Sequence, residues 1–239
     1  MNDAFEDLFS PAFLEAARDY LWLLDRGYPE GDVARLVGNR FRLSRDQRMI
    51  LYRGVLPSSV SKAHREKQVP LVRILERGSL LVDGYNILLT LLTYRLGRPV
   101  FLSTDGFLRD IGGIHGHIHH VKILEEVVEA LFSFFEAELP GVGIHILLDR
   151  PVSHSGDLAS ALQRRFDVRG LAGEVSVCDS ADYELKRAGV LIATSDSAVL
   201  SRVGEAFDLA FHVLSCRYHP RKLPDLGRLL SPERKGPSS

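Results

Sequence analysis

The sequence predicts an α/β fold, a mainly parallel sheet with helices on both faces, preceded by a small all-helical N-terminal domain. Three observations carry that expectation. After Gly78, short apolar runs of the buried-strand kind alternate with helical stretches. Before it, apolar residues recur at three-to-four spacing, as on amphipathic helices. The charge also changes sign near the same place. Of 239 residues, 30 are Lys or Arg and 31 are Asp or Glu, for a formal net charge of -1. Residues 35–77 nevertheless hold eleven basic side chains against three acidic ones, while residues 80–213 hold eleven against eighteen. A basic segment attracts polyanions by neutralising phosphates, and an acidic segment with clustered carboxylates suits a cation.

Composition narrows the class further. A hydrophobic content of 45% with 26% charged residues supports a buried core and excludes a disordered or fibrous chain. No apolar run reaches the roughly 18 residues needed to span a bilayer, and MNDAFEDLF is acidic where a secretory leader is basic. Cys178 and Cys216 are too few for a disulfide framework. The expectation is a cytoplasmic protein with no membrane partner.

The elements follow in order. PAFLEAARDYLWLLDRG is helical and stops at Gly27; residues 30–37 form a short helix; Ser44 caps RDQRMILYRGV, which stops at Gly54. Two short helices about a polar break resemble a helix-turn-helix, so Arg40, Arg42, Arg45, Arg48 and Arg53 are candidate nucleic-acid contacts, the alternative being a solvated basic face. The polar stretch 57–67 connects this domain, residues 1–77, to an α/β domain over 78–215. There SLLVD is the first strand and YNILLTLLTYRLG the first helix. PVFLS (99–103), GIHILLD (143–149), EVSVC (174–178), VLIATSD (190–196) and LAFHVL (209–214) are further strand candidates, and VKILEEVVEALFSFFEAEL is the clearest helix. The tail 216–239, rich in Pro and basic residues, is expected to be partly disordered.

In open α/β sheets ligands bind outside the carboxyl ends of the strands. Here those ends carry carboxylates: Asp83, Asp149, Asp179 and Asp182, and Asp196. A parallel sheet gathers them at one edge, where their mutual repulsion favours a hard divalent cation, Mg2+ or Mn2+. Singly, each also suits a turn or a helix cap. Asp105 and Asp110, after another strand candidate, extend the list for the same rim. Ser153 and Ser155, in an SHSG turn, suit a phosphate cradle or an N-cap equally. His115, His117 and His119 share a face if 115–120 is extended, as a transition-metal site or an RNA-stacking surface would need, although a solvated or hydrogen-bonded histidine loop is the plainer expectation. Phosphate-binding loops, dinucleotide fingerprints and nucleophile elbows are absent from the sequence.

VDGYN at 82–86, with ADYELKRAGVLIATSDSAVL at 181–200, resembles the PIN-like nuclease superfamily, in particular its NYN branch. The resemblance implies divalent metal held for RNA cleavage by Asp83 on the first strand, Asp182 opening a helix and Asp196 in the Thr194-Ser195-Asp196 turn. Asp149 takes the place of the middle acid, in a LLDRPVSHSG context that departs from the commoner helical one. It also implies Asn86, Thr194 and Ser195 as substrate-side donors, with 5′-phosphate and 3′-hydroxyl products. YPEGDVARLVGNRFRLSRDQRMILYRGV and GRPVFLSTDGFLRDIGGIHG further resemble, across residues 25–215, a bacterial and archaeal family known only as a domain of unknown function. The functional expectation is a metal-dependent ribonuclease with RNA as partner. A non-catalytic nucleic-acid-binding protein and a phosphohydrolase of a small metabolite are the alternatives, and assembly of identical copies is left open.

Overall fold

The computed structural model describes residues 7–112, 121–220 and 222–231. The chain divides into two compact units that do not follow its linear order: residues 1–62, 99–111 and 221–239 form one, and residues 63–98 and 112–220 the other.

The first unit is mainly helical. Helix α1 (Pro11–Leu24) begins at Ser10, whose hydroxyl accepts from the Phe13 amide, and it buries Phe13, Ala16, Ala17, Tyr20 and Leu24 at helical spacing. Helix α2 (Glu30–Arg40) contributes Val33 and Val37 to the same core. After a four-residue break, α3 (Arg45–Gly54) starts in a capping box: the Gln47 amide donates to Ser44 Oγ at 3.2 Å, and the Ser44 amide donates to Gln47 Oε1 at 3.0 Å.

Two later stretches complete this core. Strands β2 (Val100–Leu102) and β3 (Leu108–Asp110) form an antiparallel ribbon outside the parallel sheet, so PVFLS is not one of the sheet's strands. The reason is the turn between them, where Asp105 Oδ1 accepts from the Phe107 amide and Gly106 takes a positive φ of 86°, folding the chain straight back. Phe101 and Ile111 enter the helical core with Leu226 and Leu230 of the short C-terminal helix Leu226–Leu230. Within the tail, Leu226 and Leu230 are thus held in this core. Gly54 permits the closure, since a Cβ there would lie 2.5 Å from Phe101 Cε2 and 2.6 Å from Leu226 Cδ1.

The stretch 57–67, expected as a polar connector, is the helix α4 (Ser58–Lys67). In the second unit, α5 (Leu71–Arg77) leads into β1 (Ser79–Asp83) and α6 (Gly84–Arg95), followed by α7 (Val121–Glu138), β4 (Gly143–Asp149) and α8 (Ser155–Arg169). Next come β5 (Gly173–Cys178), α9 (Ala181–Arg187), β6 (Ile192–Ala193), α10 (Ser197–Leu200), β7 (Ala206–Phe207) and α11 (Leu209–Tyr218), with the C-terminal helix being α12.

The sheet has five strands in the order β5-β4-β1-β6-β7, and every pair is parallel. Phe166 of α8 stacks on Phe135 and meets Phe132 edge-on, joining α7 to α8. LAFHVL, expected as a strand, lies in α11: Asp208 caps it by accepting from the Phe211 amide, and Leu209, Ala210, Val213 and Leu214 are buried at helical spacing. A short apolar run fits a buried helix as well as a strand, and here the cap decides.

Candidate functional site

From β1 the chain crosses to β4 and β5 on one side, and then to β6 and β7 on the other. The direction of winding therefore reverses between β1 and β6, which is where a crevice opens at the carboxyl edge of such a sheet. Asp83 ends β1 at that point. The register pairs Asp83 with Leu147 and Val82 with Ala193. Since side chains alternate along a strand, Asp83, Asp149 and Thr194 all project from one face.

Asp83 is buried, with 5% of its surface exposed. Its Oδ1 accepts from the Asn86 amide at 3.3 Å, capping α6, and its Oδ2 accepts from Thr194 Oγ1 at 2.8 Å. Thr194 Oγ1 in turn accepts from the Asp196 amide at 3.1 Å. Asn86 Oδ1 receives both the amide and the hydroxyl of Ser195, at 2.9 and 3.1 Å. One hydrogen-bonded cluster thus joins the start of α6 to the TSD turn after β6. It can form because Gly84 lacks a side chain: a Cβ there would lie 2.6 Å from Leu148 Cδ2 and 2.8 Å from both Ile146 Cγ2 and the Leu147 carbonyl oxygen.

Burial pushes the Asp83 carboxyl up to about 7, against the opposing pull of the bonds from Thr194 and Asn86, and the negative charges of Asp196 and Asp182 push it the same way as burial. These three carboxylates therefore share one field. Asp196 is committed through Oδ1 to capping α10, accepting from the Ala198 and Val199 amides at 2.8 and 3.0 Å. Asp182, in the first turn of α9, pairs with Lys186 at 3.2 Å. Asp149 accepts from the Ala181 amide at 2.8 Å, which pins the start of α9 to the end of β4. Its charge acts on Tyr85, whose hydroxyl is pushed up to about 12 by burial and then by Asp149, and on Cys178, raised by burial and then by Asp149.

In charge and in oxygen donors, Asp83, Asp182 and Asp196 suit a hard divalent cation, which would relieve their mutual repulsion. They are not preassembled around one point: among the described residues, no group of three or more His, Cys, Asp or Glu side chains stands arranged to hold a metal ion.

The remaining sequence candidates lie elsewhere. Ser155 is buried at the start of α8 and its hydroxyl donates to the Arg150 carbonyl at 3.4 Å, while Ser153 is exposed in the preceding turn. Asp105 and Asp110 belong to the helical unit and are buried there beside arginines: Arg109 donates to Asp105 Oδ2 at 2.7 Å, and Arg53 approaches Asp110 at 3.5 Å. Arg40, Arg42, Arg45 and Arg48 are also in that unit. Arg40 and Arg45 are exposed, as is Arg42 at a positive φ of 51°. Arg48 instead folds inward, donating to the Leu43 and Gly38 carbonyls at 3.1 and 2.6 Å and to Asn39 Oδ1 at 3.1 Å. It closes the end of α2. The 115–120 histidine segment lies outside the described residues. Sequence reasoning missed Gly84, Lys186 and the Ala181 amide; of these, only the Asp182/Lys186 spacing of four carried a readable signal.

Residues 72–212 match the family described as a domain of unknown function, DUF5616. The chain belongs to the DUF5616 family. The DUF5616 match contains the whole Asp83 cluster, and residues 12–67 match a second family, described as a protein of unknown function, DUF434. Among relatives of this DUF5616 chain is the uncharacterized protein MJ0935 of Methanocaldococcus jannaschii, 27% identical over 186 residues, which span 78% of this chain and 88% of that one. No solved structure matches. Among the described residues of this DUF5616 protein, no helix is long and apolar enough to cross a membrane.

Proposed function

We propose that this chain is a divalent-metal-dependent ribonuclease of the PIN-like kind, with its centre at Asp83. The observation that carries the reading is a buried carboxyl at the switch point of a parallel sheet, raised by burial and by the charges of Asp196 and Asp182. Asp83, Asp182 and Asp196 are the side chains that would hold Mg2+ or Mn2+, with Asp149 beside them on the same face of the sheet. When bound, such an ion supplies a water of lowered pKa and charge for the leaving oxygen of a phosphodiester.

The chain's own groups have distinct tasks in this reading. Thr194 holds the Asp83 carboxyl in orientation and ties it to the TSD turn. Ser195 fixes the Asn86 side chain, and with it the first turn of α6. In this reading Arg40, Arg42 and Arg45, exposed cations of the helical unit, would meet phosphates, whereas Arg48 is spent on α2.

The test is cleavage of end-labelled single-stranded and structured RNA by the wild type and by Asp83→Asn/Asp196→Asn, each with Mn2+, Mg2+ or EDTA. Metal-dependent cleavage lost in the double variant supports the reading, and no cleavage under any condition overturns it. A second reading, a non-catalytic nucleic-acid-binding protein, is favoured by two contacts: Asp182 is paired with Lys186, and Asp196 is used as a helix cap. It expects RNA binding in EDTA with steep salt dependence and no cleavage.

A further inference from the structure

We propose that Tyr183, on α9 at the rim of the Asp83 centre, is a stacking platform for an unpaired base of single-stranded RNA, a role that rests on the ribonuclease reading for the kind of nucleic acid. Helix α9 is short, seven residues from Ala181 to Arg187, and it is fixed against the centre at its first turn. The Ala181 amide donates to Asp149, and the next residue, Asp182, lies within the field of Asp83. Ala181 and Leu185 face inward and are buried. Tyr183 and Arg187, four residues apart, lie on the outer side, with the guanidinium 5.1 Å from the ring centroid.

Tyr183 is 56% exposed. Among the described aromatics of the same unit, Tyr85, Phe132, Phe134, Phe135, Phe166 and Phe207 are buried and Tyr94, Phe211 and Tyr218 half-buried, so an exposed tyrosine ring beside an acidic centre stands apart from them. Arg187 lies against the ring, while Lys186, three residues on, pairs with Asp182 at 3.2 Å and Arg150, directly after Asp149, pairs with Asp179 at 2.8 Å. Aromatic faces backed by basic side chains bind single strands through base stacking together with phosphate attraction, and a base already paired in a duplex offers no free face. The rim thus supplies contacts for base and backbone beside carboxylates that would otherwise repel the strand.

The experiment measures affinity in EDTA, where metal-dependent cleavage cannot occur, for a labelled single-stranded RNA oligomer and for an abasic strand of equal length. The full-length wild type is compared with Tyr183→Ala and Tyr183→Trp. Tyr183→Ala is expected to weaken binding of the base-bearing strand by about 5- to 150-fold, to leave the abasic strand unchanged, and to be rescued by Trp. Equal affinity of wild type and Tyr183→Ala for the base-bearing strand, a parallel loss for both strands, or no RNA binding by the wild type overturns the platform. Failure of the ribonuclease reading is separate: the Tyr183-dependent preference persists while the wild type with Mn2+ cleaves nothing.

Discussion

Asp83→Asn should change how stability depends on pH. The Asp83 carboxyl is raised from 3.8 to about 7 in the folded chain, chiefly by burial. Folded Asp83 therefore keeps its proton up to about pH 7, while the unfolded chain releases it near pH 4. Between those values the native state binds more protons, so its stability is fully present below the unfolded pKa and is lost as pH rises through the folded one. A shift of about three units corresponds to about 4 kcal/mol in all, of which about 2–3 kcal/mol falls between pH 5 and pH 8. Asparagine does not titrate. The stability difference between Asp83→Asn and wild type, without metal, should therefore move in favour of the variant by that amount across this window, whatever fixed cost the altered bond to Thr194 imposes. Trp22, the single tryptophan, reports on the helical unit, so hydrogen exchange at β1 and β4 amides is the suitable probe in urea. Parallel pH profiles for the two proteins would refute the buried-carboxyl argument. At pH 8, Mn2+ should stabilise the wild type and not the variant.

Arg48→Met should cost the helical unit about 1–3 kcal/mol by uncapping the Gly38 and Leu43 carbonyls, read as an earlier urea transition in Trp22 fluorescence, whereas Arg45→Ala should leave that transition in place. Asp105→Ala leaves Arg109 buried without its carboxylate partner and should destabilise the same unit by about 3–5 kcal/mol; an effect below 1 kcal/mol would show that the pair contributes little. Gly84→Ala pushes a methyl into Ile146, Leu148 and the Leu147 carbonyl, and a loss of about 1–3 kcal/mol is expected in thermal unfolding followed by circular dichroism.

How far the sequence could be read depended on whether a signal was local. SLLVD ended in Asp83 as expected, because a continuous apolar run closed by a capping aspartate is written in adjacent residues. Asp83 and Asp149 end their strands at the carboxyl edge of the sheet, and the TSD turn meets Asp83 as its strand position suggested. LAFHVL was misread, and PVFLS, a buried strand as expected, joined an antiparallel ribbon and not the parallel sheet, because an apolar run states burial but not partner. Arg48 looked like any exposed arginine until its guanidinium was seen over Gly38, a pairing set by the turn between α2 and α3. The order of Leu226 and Leu230 was likewise illegible, since it depends on a core built by residues two hundred positions earlier.

That last dependence bears on how the chain matures during synthesis. The helical core draws Phe13 and Tyr20 from α1, Phe101 from the β2–β3 ribbon, and Leu226 and Leu230 from α12. Most of the helices that need those leucines leave the ribosome long before them, so the unit built largely from the earliest residues is completed late. A product lacking residues 226–230 would expose the apolar seam around Phe101 and Gly54 to water.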